Sequence, residues 1–175
     1  MFNMTMFNNI YQYDLKLLMW CRKSSTSHHF ISLVRITSKS GDGYLQLLLP
    51  AIYWLMTTQF YNHFLILTIL TFMLERLLYF ILKHTLCRRR PPQVIPDFKS
   101  IIEASDQFSF PSGHTMAAFT LAGLFTFYFG VIALPLYIWA IAVAISRVIL
   151  GVHFPTDILA GALIGTILVY IMVAL

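Results

Sequence analysis

Charged side chains are scarce in this sequence: only 11% of its 175 residues are Asp, Glu, Lys or Arg. A soluble domain carries roughly 25%. Hydrophobic residues make up 58% of the chain instead. The shortage of charge argues against a soluble enzyme and indicates that most of the molecular surface faces lipid.

Cysteine is rare as well, and the two that occur, Cys21 and Cys87, lie far apart in the chain. Neither has the spacing of a metal-ligand pair, and nothing indicates that they form a disulfide. No cluster of Cys, His and carboxylate residues shows ligand spacing either. The sequence therefore predicts neither a metal site nor a cofactor.

Long apolar stretches are what the sequence does contain. A membrane-spanning helix needs about 20 mostly apolar residues. Short connections between the stretches predict antiparallel neighbours, so we expect an all-α integral-membrane helical bundle. Glu75 and Arg76 interrupt the second stretch, and a structural role is expected for Arg76, which can pair with Glu75 or with a neighbouring helix. Five stretches qualify or nearly qualify as spans, namely Tyr44–Phe60, His63–Lys83, Ser112–Gly130, Val131–Leu150 and Pro155–Leu175.

Residues 1–43 have a different composition, in which bulky apolar residues alternate with charges such as Asp14, Lys16 and Arg22. Such a segment is typical of an amphipathic helix in the membrane interface, and a weak sixth span is the alternative. We therefore divide the chain into an N-terminal interfacial segment, residues 1–43, and a membrane-embedded domain, residues 44–175.

Polar residues from three distant stretches meet at one face of the predicted bundle. If five spans alternate in direction, the segments Lys83–Pro91, Pro111–Thr115 and Ser146–Asp157 all lie on the same side of the membrane. We call this side the site face. Ionisable residues at the edge of a membrane span indicate a functional site, because charge in lipid is costly.

Cations and a helix start dominate this face. Lys83, Arg90 and Arg147 supply fixed positive charges, and arginine has a planar fork suited to phosphate oxygens. Ser112 is placed to cap a helix whose first free amide belongs to Gly113, where an anion can approach closely. Together these groups describe a phosphate cradle.

Two histidines border the cradle. His153 comes just before a helix start at Pro155, and Asp157 in the first turn can reach back to its imidazole. A carboxylate there orients the ring and stabilises its cation, which suits a nucleophile that attacks phosphorus. His114 suits a general acid that protonates the leaving oxygen and then activates water. Spacing alone does not choose between the two histidines.

These residues resemble the signature of the type-2 phosphatidic-acid phosphatase superfamily of integral-membrane lipid phosphatases. The signature reads Lys-x6-Arg-Pro, Pro-Ser-Gly-His and Ser-Arg-x5-His-x3-Asp, and its spacing is matched without substitution. The resemblance covers roughly residues 44–175. The matching residues are Lys83, Arg90 and Pro91, then Pro111, Ser112, Gly113 and His114, then Ser146, Arg147, His153 and Asp157.

The resemblance implies a metal-independent phosphatase that forms a phosphohistidine intermediate. By position, it implies His153 as the nucleophile, Asp157 as its partner and His114 as the acid. The family core usually has six spans, so the resemblance leaves room for a sixth within residues 1–43. The residues implied to bind phosphate are Lys83, Arg90, Ser112, Gly113 and Arg147.

The expected reaction is removal of a terminal phosphate from a lipid phosphate or diphosphate in the bilayer. Family analogy favours undecaprenyl diphosphate, followed by phosphatidylglycerophosphate and phosphatidate. A lipid phosphotransferase is one alternative, and a non-catalytic lipid-binding or transport bundle is another. Membrane lipid is the expected partner, no nucleic-acid partner is expected, and the sequence does not define an oligomeric state.

Two arguments disagree about the side of the membrane that the site face lies on. The loops opposite the site face contain no Lys or Arg, so the positive-inside rule would place the site face in the cytoplasm. The family resemblance implies a site that faces the periplasm or exterior. Because several of these cations are predicted to be catalytic, we expect the second arrangement, in a bacterial inner membrane.

Overall fold

The computed structural model describes residues 4–23, 27–57 and 63–175. Within these ranges all regular structure is helical. A single 3₁₀ turn, Gly130–Ala133, joins two of the helices. The α-helices are α1 (Met4–Lys23), α2 (His28–Ser40), α3 (Tyr44–Thr57), α4 (His63–Leu86), α5 (Pro91–Val94), α6 (Gly113–Phe129), α7 (Pro135–Ile149) and α8 (Pro155–Ala174).

Three segments are long and apolar enough to cross a membrane: His63–Val94, Gly113–Ala133 and Pro155–Ala174. The helices α3 and α7 are shorter and also apolar. The predicted all-α membrane bundle is therefore confirmed, and the protein is an integral membrane protein.

The predicted start of the fourth span differs from the structure. The fourth span begins at Pro135 rather than Val131, because Gly130, with φ of 65°, ends α6 and a 3₁₀ turn follows it. Proline is favoured at the first position of a helix, where its missing N–H is not needed. The third helix ends at Thr57, and the rest of the predicted first span reaches residues 58–60, which lie outside the described ranges.

The N-terminal segment forms two helices rather than one. Leu18 of α1 packs with Val148 and Phe154, at the corner between α7 and α8. Val34 of α2 packs with Ile149 at the end of α7. Both helices thus rest against the part of the bundle that carries the predicted site. The division at residue 43 remains a prediction.

The helices α6 and α8 approach closely through two glycines of α8. A Cβ atom on Gly161 would lie 2.7 Å from the Ser112 carbonyl oxygen, and one on Gly165 would lie 2.5 Å from the Met116 carbonyl oxygen. Small residues four apart allow such backbone contact between membrane helices. This contact fixes the start of α6 against the start of α8.

Aromatic rings hold the opposite end of the bundle. Phe64 at the start of α4 is buried and makes edge contacts with Tyr53, Phe125, Tyr128 and Phe129. Edge-to-face pairs add about 0.5–1.5 kcal/mol each beyond area burial. These contacts join α3 and α4 to the end of α6 that lies away from the predicted site.

Candidate active site

The three signature stretches lie together at one end of the bundle. The Ser112 amide donates to the Asp157 carbonyl at 3.1 Å, which joins the start of α6 to the start of α8. Arg90 Nη1 donates to the Val152 carbonyl at 2.5 Å, which joins the loop after α4 to the corner before α8. The structure thus brings all eight predicted site residues into one region.

His153 occupies a tight corner between α7 and α8. Gly151, with φ of 78°, provides the left-handed turn that this corner requires. The imidazole is only 2% exposed, and its Nε2 lies 3.4 Å from Arg90 Nη1. Burial lowers the pKa of His153 to about 4, outweighing the opposing effect of Asp157. The ring is therefore neutral at physiological pH, as a nucleophile must be.

The Asp157 carboxylate lies next to the His153 ring, and both of its oxygens also accept hydrogen bonds from other groups. Its Oδ2 lies 3.6 Å from His153 Nδ1, beyond hydrogen-bond length, and accepts the Phe154 amide at 2.7 Å. Its Oδ1 accepts Arg88 Nη1 at 2.7 Å. The carboxylate thus closes the first turn of α8 and faces the imidazole at short range.

A carboxylate already lies among the predicted phosphate ligands. Lys83 Nζ donates to Asp106 Oδ2 at 2.7 Å, the Tyr79 hydroxyl donates to the same oxygen, and Arg90 donates to Oδ1. Burial alone would raise the pKa of Asp106, but the Lys83 and Tyr79 hydrogen bonds and the Arg90 charge bring it below its usual range. An anion is therefore stable at this position, and sequence reasoning missed both Asp106 and Tyr79.

Arg147 is buried at the end of α7, with 5% of its surface exposed. Its Nη1 donates to Ser38 Oγ of α2 at 2.5 Å. Its Nε has no hydrogen-bond partner among the described residues. A buried guanidinium N–H without a partner is costly, so this group suits an incoming anion.

The start of α6 carries Ser112 and Gly113 as predicted, with two differences in detail. Ser112 is the N-cap residue, but its hydroxyl accepts Thr115 Oγ1 at 3.0 Å instead of capping a backbone amide. A Cβ on Gly113 would lie 2.7 Å from Tyr79 Cε2. The missing side chain therefore makes room for the Tyr79 ring beside the cradle.

His114 is paired with a carboxylate that the sequence analysis did not assign. Its Nε2 lies 2.6 Å from Asp42 Oδ1, in the turn between α2 and α3. This turn packs closely, because a Cβ on Gly41 would lie 2.7 Å from Val143 and 3.6 Å from His114 Cδ2. The contact orients the imidazole, and the carboxylate opposes burial and the Arg147 charge, which both disfavour the imidazolium.

A cavity of about 1620 Å³ connects these groups. Its wall includes both histidines, Arg90, Arg147 and Asp106, whereas Lys83, Ser112 and Asp157 are buried behind it. Most of the apolar part of the wall comes from α3 and α4. One compartment thus contains a polar end with cations and histidines and an apolar end between helices.

Arg76, one of the two charged residues within the second span, also borders this cavity. Arg76 binds the fully buried Glu75 and lies against the cavity, with Nη2 3.4 Å from the Gly113 carbonyl. One of the two expected pairings of Arg76, that with Glu75, is thus present. Arg76 adds a further positive charge beside the start of α6.

Several polar groups at the site are not among the signature positions. They carried no recognisable motif, and only the presence of a charged or hydroxyl residue beside apolar sequence could have drawn attention to them. They are Asp14, Ser38, Asp42, Tyr79, Arg88 and Asp106.

The chain is also similar to known proteins. A family model described as the PAP2 superfamily matches residues 49–175. The bacitracin transport permease protein BcrC of Bacillus licheniformis is 31% identical over 116 residues, which are 66% of this chain and 57% of that protein. Phosphatidylglycerophosphatase B of Bacillus subtilis is 38% identical over 119 residues, 61% of this chain and 55% of that protein. The chain thus spans little more than half the length of these curated relatives.

A solved structure shares the fold over nearly the whole chain. The transmembrane PAP2 type phosphatidylglycerolphosphate phosphatase from Bacillus subtilis superposes with a TM-score of 0.81 and 26% identity, covering 95% of this chain and 86% of that one. The family match covers well over half of the sequence. This integral membrane protein therefore belongs to the PAP2 superfamily.

Proposed function

We propose that this protein is a membrane lipid phosphatase that removes a terminal phosphate through a phosphohistidine intermediate on His153. The observation that carries the proposal is one cavity in which a buried neutral imidazole, backed by a carboxylate, lies beside Arg90 and Arg147. A structural histidine has no need of a buried arginine in the same cavity, such as Arg147, with an N–H that is unpaired among the described residues.

In the first step, the lone pair of His153 Nε2 attacks phosphorus and the bond from phosphorus to the leaving lipid oxygen breaks. The ring becomes cationic while Nδ1 keeps its proton, and the Asp157 carboxylate at 3.6 Å stabilises that charge. His114 transfers a proton to the leaving oxygen. Lys83, Arg90 and Arg147 hold the phosphoryl oxygens as their negative charge is redistributed.

In the second step, neutral His114 takes a proton from water, and the hydroxide that forms attacks phosphorus. The bond between phosphorus and Nε2 breaks, which releases inorganic phosphate and restores the neutral imidazole. The proton on His114 returns it to the acid form for the next cycle. Asp42, at 2.6 Å from His114, favours that protonated form.

The cavity supports a substrate with a lipid tail. Its wall away from the histidines includes Leu47, Trp54, Leu65, Phe72 and Met73 of α3 and α4. An apolar chain in this part would stay between helices while its headgroup reaches the cradle. Burial of each CH₂ group contributes about 0.8 kcal/mol.

For the headgroup we propose a diphosphate, with undecaprenyl diphosphate as the leading candidate. Arg35, Lys39 and Arg76 line the cavity in addition to the signature cations. A second phosphate group would use this extra positive charge. The amide of Gln46, buried on the same wall and without a partner among the described residues, offers a further polar contact.

Phosphatidylglycerophosphate is the second candidate, because two of the similar proteins are named as phosphatases of this lipid. Phosphatidate follows. A phosphate-release assay over a panel of purified lipid phosphates and diphosphates in detergent tests the proposal. The panel's highest kcat/KM should fall on undecaprenyl diphosphate, and inorganic phosphate should appear without any lipid acceptor.

The same assay separates the rival functions. A phosphotransferase would yield a new phosphorylated lipid and need an acceptor, and a lipid-binding or transport bundle would yield no product with any substrate. Retention of full turnover in His153→Ala would refute the mechanism while leaving phosphatase activity in place.

The mechanism predicts activity without a divalent metal, because lysine and arginine side chains supply the positive charge at the phosphate. Purified protein should keep its full rate of phosphate release in excess EDTA. A rate that EDTA abolishes and that Mg²⁺ or Zn²⁺ restores would contradict the scheme. Vanadate, which adopts the five-coordinate geometry of the phosphoryl transition state, should inhibit.

For location we propose a bacterial inner membrane with the site face toward the periplasm or exterior. Two of the N-terminal cations have structural partners in the loop between α5 and α6, where Arg22 donates to the Lys99 carbonyl and Arg35 to the Ile101 carbonyl. Cations with structural partners are weaker guides to topology than free loop charges.

A further inference from the structure

We propose that Asp14, on the N-terminal helix α1, is a positioning residue for Asp157, and that it acts through Arg88. The proposal rests on the function proposed above, in which Asp157 stabilises the His153 cation. Asp14 lies outside residues 49–175, which the family model matches, and Arg88 lies between the signature positions Lys83 and Arg90.

The Asp14 carboxylate is buried, with its side chain 0% exposed. It binds Arg88 Nη2 at 2.6 Å, the Thr156 amide at 2.9 Å and the Thr156 hydroxyl at 2.5 Å. Burying a carboxylate is costly unless it is paired and hydrogen-bonded. All three of these contacts connect α1 to the neighbourhood of Asp157.

Arg88 then links the two carboxylates with one guanidinium. Its Nη2 binds Asp14, while its Nη1 binds Asp157 Oδ1 at 2.7 Å and the Thr156 hydroxyl at 2.7 Å. The same guanidinium lies over the Phe154 ring, with Cζ 4.3 Å from the centroid. A planar fork held on both sides in this way keeps the carboxylates in a fixed relation.

Asp157 transmits that constraint to the nucleophile. With Oδ1 held by Arg88 and Oδ2 by the Phe154 amide, the carboxylate plane cannot rotate freely. Its Oδ2 is the atom that faces His153 Nδ1. Small displacements of a catalytic group have large effects on rate, about a hundredfold for roughly 1 Å.

Packing fixes Asp14 itself. One turn along α1, Leu18 is fully buried against Val148 and Phe154. Tyr11 makes an edge contact with the Phe154 ring, with centroids 6.2 Å apart. The helix therefore presents Asp14 to Arg88 from a defined position.

Asp14 also stabilises the start of α8. The test must separate this structural effect from the positioning of Asp157. The residue before α8 is Phe154, whose side chain has no acceptor, so Asp14 caps the Thr156 amide in its place. Asparagine keeps an oxygen for that amide but loses the charge that holds Arg88. Asp14→Asn is therefore the informative substitution.

The experiment compares kcat and KM for phosphate release by the full chain in detergent, carrying Asp14→Asn, Arg88→Gln or both. Asp97→Asn, at an exposed position on the same face, is the matched control. Asp14→Asn should lower kcat about tenfold or more with KM within about twofold, because Asp14 does not contact the phosphate. The double variant should be no slower than the slower single variant.

Two kinetic outcomes would overturn the proposal. One is a kcat of Asp14→Asn equal to that of Asp97→Asn, and the other is a double variant whose losses multiply, because independent residues combine in that way. If the wild type is active and His153→Ala inactive in these assays, the proposed function stands even when the Asp14 proposal fails.

A spectroscopic measurement keeps the proposal testable without turnover. In protein labelled with ¹⁵N-histidine, the His153 resonances are those missing from His153→Gln. Asp14→Asn should shift the His153 Nδ1 resonance, and Asp97→Asn should leave it in place. An unchanged His153 spectrum in correctly folded Asp14→Asn would refute the coupling.

Discussion

Asp106 holds two of the cations that the proposed reaction needs. Its carboxylate binds Lys83 and Arg90, and 30% of its side chain is exposed. A substrate phosphate that binds the same two side chains has to displace this carboxylate or share its ligands. In the free site, Asp106 thus neutralises part of the positive charge of Lys83 and Arg90. This limits the free-energy cost of burying these cations without substrate.

We therefore expect Asp106→Asn to bind anions more tightly. Loss of a competing contact worth about 1 kcal/mol would lower the inhibition constant of inorganic phosphate or vanadate about fivefold. Inhibition of phosphate release measures this constant, and Asp97→Asn should leave it unchanged. A weaker inhibition in Asp106→Asn would mean that the carboxylate orders the cradle instead of competing for it.

His153 should set the acid limb of the pH profile. Its pKa is lowered to about 4 by burial, so the imidazole is neutral above that value and loses its nucleophilic lone pair below it. After correction for ionisation of the lipid phosphate, the acid limb of kcat/KM should be centred near pH 4. An acid limb centred near the ordinary histidine pKa of about 6.5 would contradict the claim that burial lowers the pKa of His153.

At the scale of elements, the contact of α6 with α8 determines how the two halves of the site meet. Gly161 and Gly165, four residues apart, let α8 pack closely against α6. Ser112 precedes α6 and Asp157 lies in the first turn of α8. A backbone hydrogen bond of 3.1 Å joins the two residues. The site therefore depends on a helix interface that contains no catalytic side chain.

Enlarging Gly165 tests this dependence. In Gly165→Ala the new methyl would lie 2.5 Å from the Met116 carbonyl, so we expect a loss of about 1–3 kcal/mol of stability through overpacking. Thermal unfolding in detergent measures the loss. Leu163→Phe enlarges an exposed position of the same helix and should unfold like the wild type.

Local pattern and span counting were sufficient for part of this arrangement. Apolar length identified the helices, and alternation of direction placed the three signature stretches on one face. The contacts made by the N-terminal helices were not accessible in this way. Ser38 and Arg147 are 109 positions apart, and Asp14 and Arg88 are 74 apart. A single pair of polar residues at such separations leaves no periodicity in the sequence, so only the tertiary structure reveals it.

Asp106 and Asp42 illustrate a second limit. Both are carboxylates in turns or loops, and both keep part of their side chain exposed while binding predicted site residues. Because phosphate is anionic, sequence reasoning sought cations at this face. The structure shows that carboxylates neutralise part of that positive charge in the free site.

For the whole molecule, the open question is which side of the membrane the site faces. Cys87 lies exposed just after α4 on the site face, which makes it a native reporter in a Cys21→Ser background. In right-side-out vesicles, an impermeant maleimide should label Cys87 directly. Labelling that requires permeabilisation would place the site in the cytoplasm.

A matched control comes from the opposite end of the bundle. Val131 is 81% exposed in the turn between α6 and α7. As the only cysteine, Val131→Cys should show the reverse pattern, with labelling after permeabilisation alone.

The most direct test of the account is capture of the phosphorylated enzyme. Wild-type protein is mixed with a lipid diphosphate carrying ³²P in its terminal phosphate and quenched within a turnover. The account predicts a covalent label on His153 that is stable in alkali and labile in acid, and that is absent from His153→Ala. Turnover without any such label on the wild type, or with the label intact in His153→Ala, would contradict it.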